Sequence, residues 1–147
     1  MRRHRRIGLR LNGVMDIRWE EVAPVSLQYY RRVGVTKQYD YTKWSPRMRP
    51  NVPDYYHLTL SASEHTDPAT LREWAAAGHS IAIPFRIAKG EALPETYHGI
   101  PVIDGDLTDD RTLDPPGVIV GLRAKGNTAW LDQSGFIRDL DLLALAA

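Results

Sequence analysis

Six short runs rich in β-branched and aromatic residues recur along the chain, at residues 7–11, 37–42, 55–61, 80–85, 100–103 and 117–122. Helix signals fill the first intervals between them, and this alternation constrains the fold more than any other feature. Residues 16–33 read mainly as helix. Pro24 suits a helix start, where its missing N–H costs nothing, and Val25, Tyr29 and Val33 share one face before Gly34 closes the element. Asp67-Pro68 is an N-cap followed by proline at the first helical position. Leu71, Trp74 and Ala75 supply an apolar face, and Gly78 stops that helix. Residues 44–53 form a proline-punctuated loop. Pro84 marks the fourth strand as ending early or lying at an edge. The acidic stretch 104–116 has no room for a crossover helix, and 136–147 has the composition of a short terminal helix. The expected fold is therefore α/β: a partial (β/α) barrel, or a mostly parallel sheet of about six strands with flanking helices and an irregular second half.

Alternation within the strands narrows the choice. In 55–61, Leu58 and Leu60 lie on one face and His57, Thr59 and Ser61 on the other, with Ser63 continuing that side. Leu9 and Leu11 likewise oppose Arg10 and Asn12, and Val118, Val120 and Leu122 oppose Ile119, Gly121, Arg123 and Lys125. Two buried faces would read as continuous apolar runs, so one face is expected to pack on helices and the other to line an open mouth. Ligands in such folds bind at the carboxyl ends of the strands. The ligand-binding candidates there are Asn12, Gly13, Asp16, Lys43, Ser61, Ser63, Glu64, Arg86, Arg123 and Lys125. Asp104 and Asp106 offer carboxylates to a hard cation, although the loop lacks the spacing of a calcium loop.

Composition excludes several chemistries. The 147 residues suit one domain and contain no cysteine, which removes disulfides, thiolate nucleophiles, thiolate zinc sites and Cys-ligated iron–sulfur clusters from this chain. No apolar run is long enough to span a bilayer, and no signal-peptide core follows the basic start, so a cytoplasmic location is expected. Net charge is +1, with Arg2, Arg3, Arg5 and Arg6 clustered at the start. Without them the body carries about −3, so it is not a basic nucleic-acid-binding surface. Residues 1–6 read as a basic arm ahead of a single α/β domain at 7–147, either simply solvated or touching nucleic acid or an acidic partner.

Taken together, LRLNGVMDIRWEE, YDYTK, PDYYHLTLSASE, IPVIDGD and GVIVGLRAKG resemble a phage- and plasmid-encoded family similar to radical S-adenosylmethionine enzymes, over roughly residues 7–138. The resemblance implies a partial (β/α) barrel. Asn12, Gly13 and Asp16 would then lie where the methionyl amino group of the cofactor is held, Ser61, Ser63 and Glu64 near its ribose, and Gly121 close to the cofactor. The clustered cysteines of longer relatives are absent, so the chain is expected to lack the iron–sulfur cluster and to keep at most vestigial S-adenosylmethionine or nucleotide binding. A missing first barrel strand would leave a sheet edge open to another copy.

Three functional readings follow. The first is a phage or mobile-element binding protein that holds a nucleotide-like small molecule or inhibits a host defence protein. The second is a metal-assisted hydrolase or transferase using Asp16, Glu64, Asp104 and Asp106. The third is a nucleic-acid-binding accessory protein acting through the basic arm.

Overall fold

In the computed structural model, which describes residues 8–140, seven strands form one sheet. They are β1 (Gly8–Leu9), β2 (Lys37–Thr42), β3 (Tyr56–Ser61), β4 (Ile81–Phe85), β5 (Thr96–Tyr97), β6 (Ile100–Asp104) and β7 (Ile119–Arg123). Their spatial order is β1-β2-β3-β4-β7-β6-β5, and every neighbouring pair is parallel except β5 with β6. The sheet does not close into a barrel; β1 and β5 are its two edges. Among the described residues four helices accompany it: α1 (Trp19–Val22), α2 (Pro24–Arg32), α3 (Pro68–Ala76) and α4 (Asn127–Trp130). None of the described helices is long and apolar enough to cross a membrane.

The boundary signals of α3 act as expected. Asp67 accepts a hydrogen bond from the Thr70 amide at 2.7 Å, Pro68 opens α3, and Gly78 follows its end at φ +86°. Pro24 opens α2, but the apolar face read from its spacing points outward. Val25, Tyr29 and Val33 are 57–75% exposed, and the residue α2 buries is Leu27. The long helix expected at 16–33 is also broken, because residues 10–18 form a loop and Ala23 separates α1 from α2.

Register identifies the two faces. Leu60 pairs with Ile81, Ile81 with Ile119, and Ile119 with Val102, so all four project to one side. That side carries the apolar core, where Leu71 of α3, Ile83, Phe85 and Tyr97 join them. The rings of Phe85 and Tyr97 meet edge-on with centroids 5.1 Å apart. β1 to β4 lie side by side in chain order, so right-handed crossovers place their connections on this helix face. The step from β6 back to β7 runs the other way, which sends residues 105–118 across the second face. A Cβ on Gly105 would approach Val120 Cγ1 to 2.5 Å and Leu122 Cδ2 to 2.8 Å, which fixes the chain against that side.

This reverses the expectation for β7. Val120 and Leu122 lie on the second face under the connection, whereas Arg123 shares the helix face with Phe85. Both faces are covered there, so alternation cannot separate core from mouth. Pro84 also finds a different setting, since β4 is the central strand. β3 pairs with β4 only at Leu60–Ile81 and Ser61–Ala82, and beyond that point Arg138 takes its place: the Arg138 amide donates to Pro84 O at 2.8 Å. Proline thus falls where the neighbouring strand has diverged. Residues 136–140 form this bridge rather than a helix, and the rest of the expected terminal helix lies outside the described residues. The hairpin of β5 and β6 turns through His98 (φ 52°) and Gly99 (φ 77°), a two-residue turn with both residues left-handed.

Gly117, at φ +72°, ends the crossover against the last turn of α3, where an added Cβ would stand 2.7 Å from Ala75 O. Gly117→Ala combines an unfavourable left-handed backbone with a backbone clash and is expected to cost about 2–4 kcal/mol in urea unfolding, with the native spectrum retained.

Candidate functional site

The carboxyl ends of β1, β2 and β3 are organised by buried polar side chains. Asp40, with no solvent exposure, accepts hydrogen bonds from the Asn12 amide (2.8 Å), the Leu11 amide (3.3 Å) and the Tyr56 hydroxyl (2.5 Å). Burial pushes its pKa up, and these hydrogen bonds work against that rise. Asn12, 4% exposed, folds the following loop by accepting from the Trp19 indole (2.8 Å) and the Ile17 amide (3.2 Å) while donating to Ile17 O. Asp16 accepts from the Lys43 amide (2.6 Å) and the Thr42 hydroxyl (3.1 Å), tying the loop to the end of β2. Arg49 and Glu20 form a bidentate pair at 2.7 and 2.5 Å with side chains only 1% and 2% exposed. Burial opposes ionisation of Glu20, but the hydrogen bonds from Arg49 prevail and hold its pKa below the ordinary value.

Five of the residues nominated from sequence, Asn12, Gly13, Asp16, Lys43 and Ser61, line one cavity of about 290 Å³ together with Arg10 and Tyr41. Arg10 donates to Asn12 O at 3.1 Å and lies over the Tyr41 ring at 4.8 Å, while Lys43 lies over Phe136 at 4.9 Å. Neither cation forms an ion pair among the described residues, although the Arg10 charge acts on the buried Asp40 carboxylate. Val14 and Met15, on the same rim, are 100% and 65% exposed.

A second cavity, of about 610 Å³, holds Asp104, Asp106, Arg123 and Lys125 beside Lys89 and Leu107. Arg123 reaches Asp104 at 2.9 Å and Asp106 at 3.2 Å and donates twice to Glu91 O, and Lys125 binds Asp106 at 2.8 Å. Hydrogen bonding from Arg123 lowers the pKa of Asp104. Burial would raise that of Asp106, but Lys125 and Arg123 override it. The two carboxylates nominated for a metal are thus neutralised by cations of the chain itself. Among the described residues no group of three or more histidines and carboxylates is arranged to hold a metal ion. Tyr41, on the first cavity, lies within electrostatic range of Lys125, on the second.

Ser63, Glu64 and Arg86 line neither cavity. Ser63 meets Thr66 at 3.3 Å, and Glu64 stands 3.5 Å from His65. Arg86 donates to Ala129 O, Trp130 O, Asp132 O and the Asp139 carboxylate, so its guanidinium anchors the segment after β7. Arg2, Arg3, Arg5 and Arg6 lie outside the described residues.

Two arginines went unselected by the sequence reading. Arg10 was visible on the polar side of its strand but preceded the strand end. Arg111 sits in the acidic connection, where nothing in the sequence marks it as buried. It has no exposure, and its charge acts on His57 and Tyr41 of the second face. It donates to Gly105 O and Thr108 O, while Nε and Nη1 have no hydrogen-bond partner and Asp114 stands 3.5 Å away. Burial, reinforced by Arg111, lowers the His57 pKa and keeps that imidazole neutral at pH 7.

The fold and site define an open, mainly parallel α/β protein whose first four strands are laid side by side and whose polar groups gather at the strand ends. The chain matches the family described as Gene product 88, a family of phage gene products, over residues 1–140, and it belongs to that family. No curated protein and no solved structure matches it. The match supplies no activity, and nothing in these comparisons supports kinship with radical S-adenosylmethionine enzymes.

Removing one member of the buried pair leaves an uncompensated charge. Arg49→Met is expected to cost about 3–5 kcal/mol in urea unfolding, and Glu20→Leu/Arg49→Met to recover most of it. Because the folded-state pKa of Glu20 is depressed, the stability from this pair is full above its ordinary value of 4.5 and is lost as pH falls below that through the folded pKa. The double variant should lack that contribution to acid sensitivity.

Proposed function

We propose that this protein binds an anionic, nucleotide-like small molecule at the mouth formed by β1, β2 and β3, and that it acts by binding rather than by cluster chemistry. The observation that carries the reading is the pair of cations that form no ion pair among the described residues, Arg10 and Lys43, on a cavity that also presents Asn12, Gly13 and Ser61. Exposed cations that form no ion pair among the described residues favour a phosphate or carboxylate, and the exposed Val14 and Met15 offer apolar contact to the rest of the ligand. A phosphorylated nucleoside fits this charge better than S-adenosylmethionine, whose sulfonium adds a positive charge. The side-by-side parallel order of β1 to β4 supports descent from a barrel-type fold that binds ligands at its strand ends.

A macromolecular target is a second reading, favoured by one observation. Val22, Val25, Tyr29 and Val33, on and beside α1 and α2, are exposed apolar residues, and β1 is a sheet edge among the described residues. A host protein or a second copy of the chain would cover them. The metal-assisted alternative is weaker, because Asp16, Asp104 and Asp106 are engaged by groups of the chain.

The test is thermal unfolding with ADP, AMP or S-adenosylmethionine. ADP at about tenfold over its Kd should raise Tm by about 2–5 °C. Arg10→Gln/Lys43→Gln should remove that shift while leaving the ligand-free Tm within a degree or two. Stabilisation unaffected by the double variant, or none by any of the three ligands, contradicts the proposal.

A further inference from the structure

The helix layer is one helix short. α1 and α2 lead from β1 to β2 and α3 leads from β3 to β4, but the connection from β2 to β3 contains only a 3-10 turn, Pro46–Met48. The helix face over Leu58 and Leu60 is therefore covered by a proline-rich loop that cannot fill the space of a helix. What remains is a cleft of about 440 Å³, floored by Leu58, Leu60 and Val52 and walled by Trp44 and Tyr56. Its size and apolar lining are those of a small-molecule site.

Charge selects the class of ligand. Arg49 borders the cleft, but Glu20 neutralises it through two hydrogen bonds, and Asp16 adds a further carboxylate 3.9 Å from its Nη1. Asp54, exposed on the rim, forms no ion pair among the described residues. His79, at the end toward β4, is tied to α3 by its amide, which donates to Trp74 O at 3.0 Å. Of the two charged residues lining the cleft, Arg49 is thus held by Glu20, while Asp54 forms no ion pair among the described residues, so the free charge beside the apolar floor is negative. We propose that this cleft is a second binding site, for a planar aromatic cation of the aryl-amidine or protonated heteroaromatic-amine class. The ring lies on Leu58 and Leu60, and the cationic end faces Asp54. It is separate from the mouth, which lies at the strand ends; Thr42 borders both, while Tyr41 and Ser61 belong to the mouth alone.

The experiment is a titration of the isotope-labelled protein with benzamidine, followed by two-dimensional amide NMR. The indole N–H of Trp44, which donates to Asp16 O at 3.1 Å, is the reporter. The expected result is a saturable shift of Trp44, His79 and Leu58 with Kd of about 1 mM, Tyr41 and Ser61 remaining still. Benzamide, the neutral isostere, should bind at least about fivefold more weakly, and Asp54→Asn should weaken benzamidine by about threefold or more. Val52→Trp should fill the cleft and abolish the shifts while the Tyr41 and Ser61 signals keep their positions. Equal binding of benzamide and benzamidine overturns the charge argument. Shifts confined to the mouth, unchanged binding in Val52→Trp, or no saturable shift of Trp44 by 20 mM (roughly twenty times the expected Kd) overturn the site.

Discussion

Asp40 is a carboxylate with no solvent exposure in a strand that faces the helices, and three segments depend on it. It takes the amides of Leu11 and Asn12 where the chain leaves β1, and the hydroxyl of Tyr56 where it enters β3. A buried carboxylate is tolerated only when its lone pairs are filled, and these donors come from parts of the chain distant in sequence. Tyr56 in turn lies beneath Arg49, whose guanidinium is 5.9 Å from the ring and clamps Glu20 of α1. One polar chain thus runs from α1 through the β2–β3 connection to the end of β1. It fixes the loop whose residues Asn12, Gly13 and Asp16 form one wall of the mouth.

A single reversal in strand order decides the shape of the rest. Had β6 followed the direction of β1 to β4, its connection to the next strand would have added to the helix layer. Because β7 is inserted between β4 and β6, that connection crosses the second face and buries Arg111 near Tyr41 and His57. The polar strand ends are thereby divided. Asn12, Lys43 and Ser61 remain around one cavity, Asp104, Arg123 and Lys125 around a second, and Tyr41 of the first lies within electrostatic range of Lys125. In the second cavity Arg123 and Lys125 are held in ion pairs by Asp104 and Asp106, whereas Arg10 and Lys43 on the first form no ion pair among the described residues. That contrast is what favours the first cavity in the proposed ligand binding.

Local chemistry made much of this legible in the sequence. β2 lies where its aromatic and β-branched residues place it, and α3 is bounded by the cap of Asp67 and the stop at Gly78. The faces of β3 follow from alternation, and the grouping of Asn12, Gly13, Asp16, Lys43 and Ser61 follows from strand ends alone. What stayed hidden depends on distant parts of the chain. Val25, Tyr29 and Val33 have helical spacing whether they face the core or solvent. The faces of β7 were inverted because apolar residues cover both sides there. Arg86 looked like a ligand contact until the segment after β7 supplied its four acceptors. Short β5 was missed because two residues give no periodicity, although His98-Gly99 carries the turn.

The central claim is that the mouth at β1, β2 and β3, held by Asp40, is where an anionic nucleotide-like ligand binds. Amide chemical-shift mapping with ADP tests it most directly. The account predicts saturable shifts concentrated at Gly13, Val14, Lys43 and Ser61, with a smaller effect at Lys125 and none along α2. Shifts centred on Lys89 and Arg123 instead, or a protein whose mouth residues stay unperturbed at saturating ADP, would contradict it.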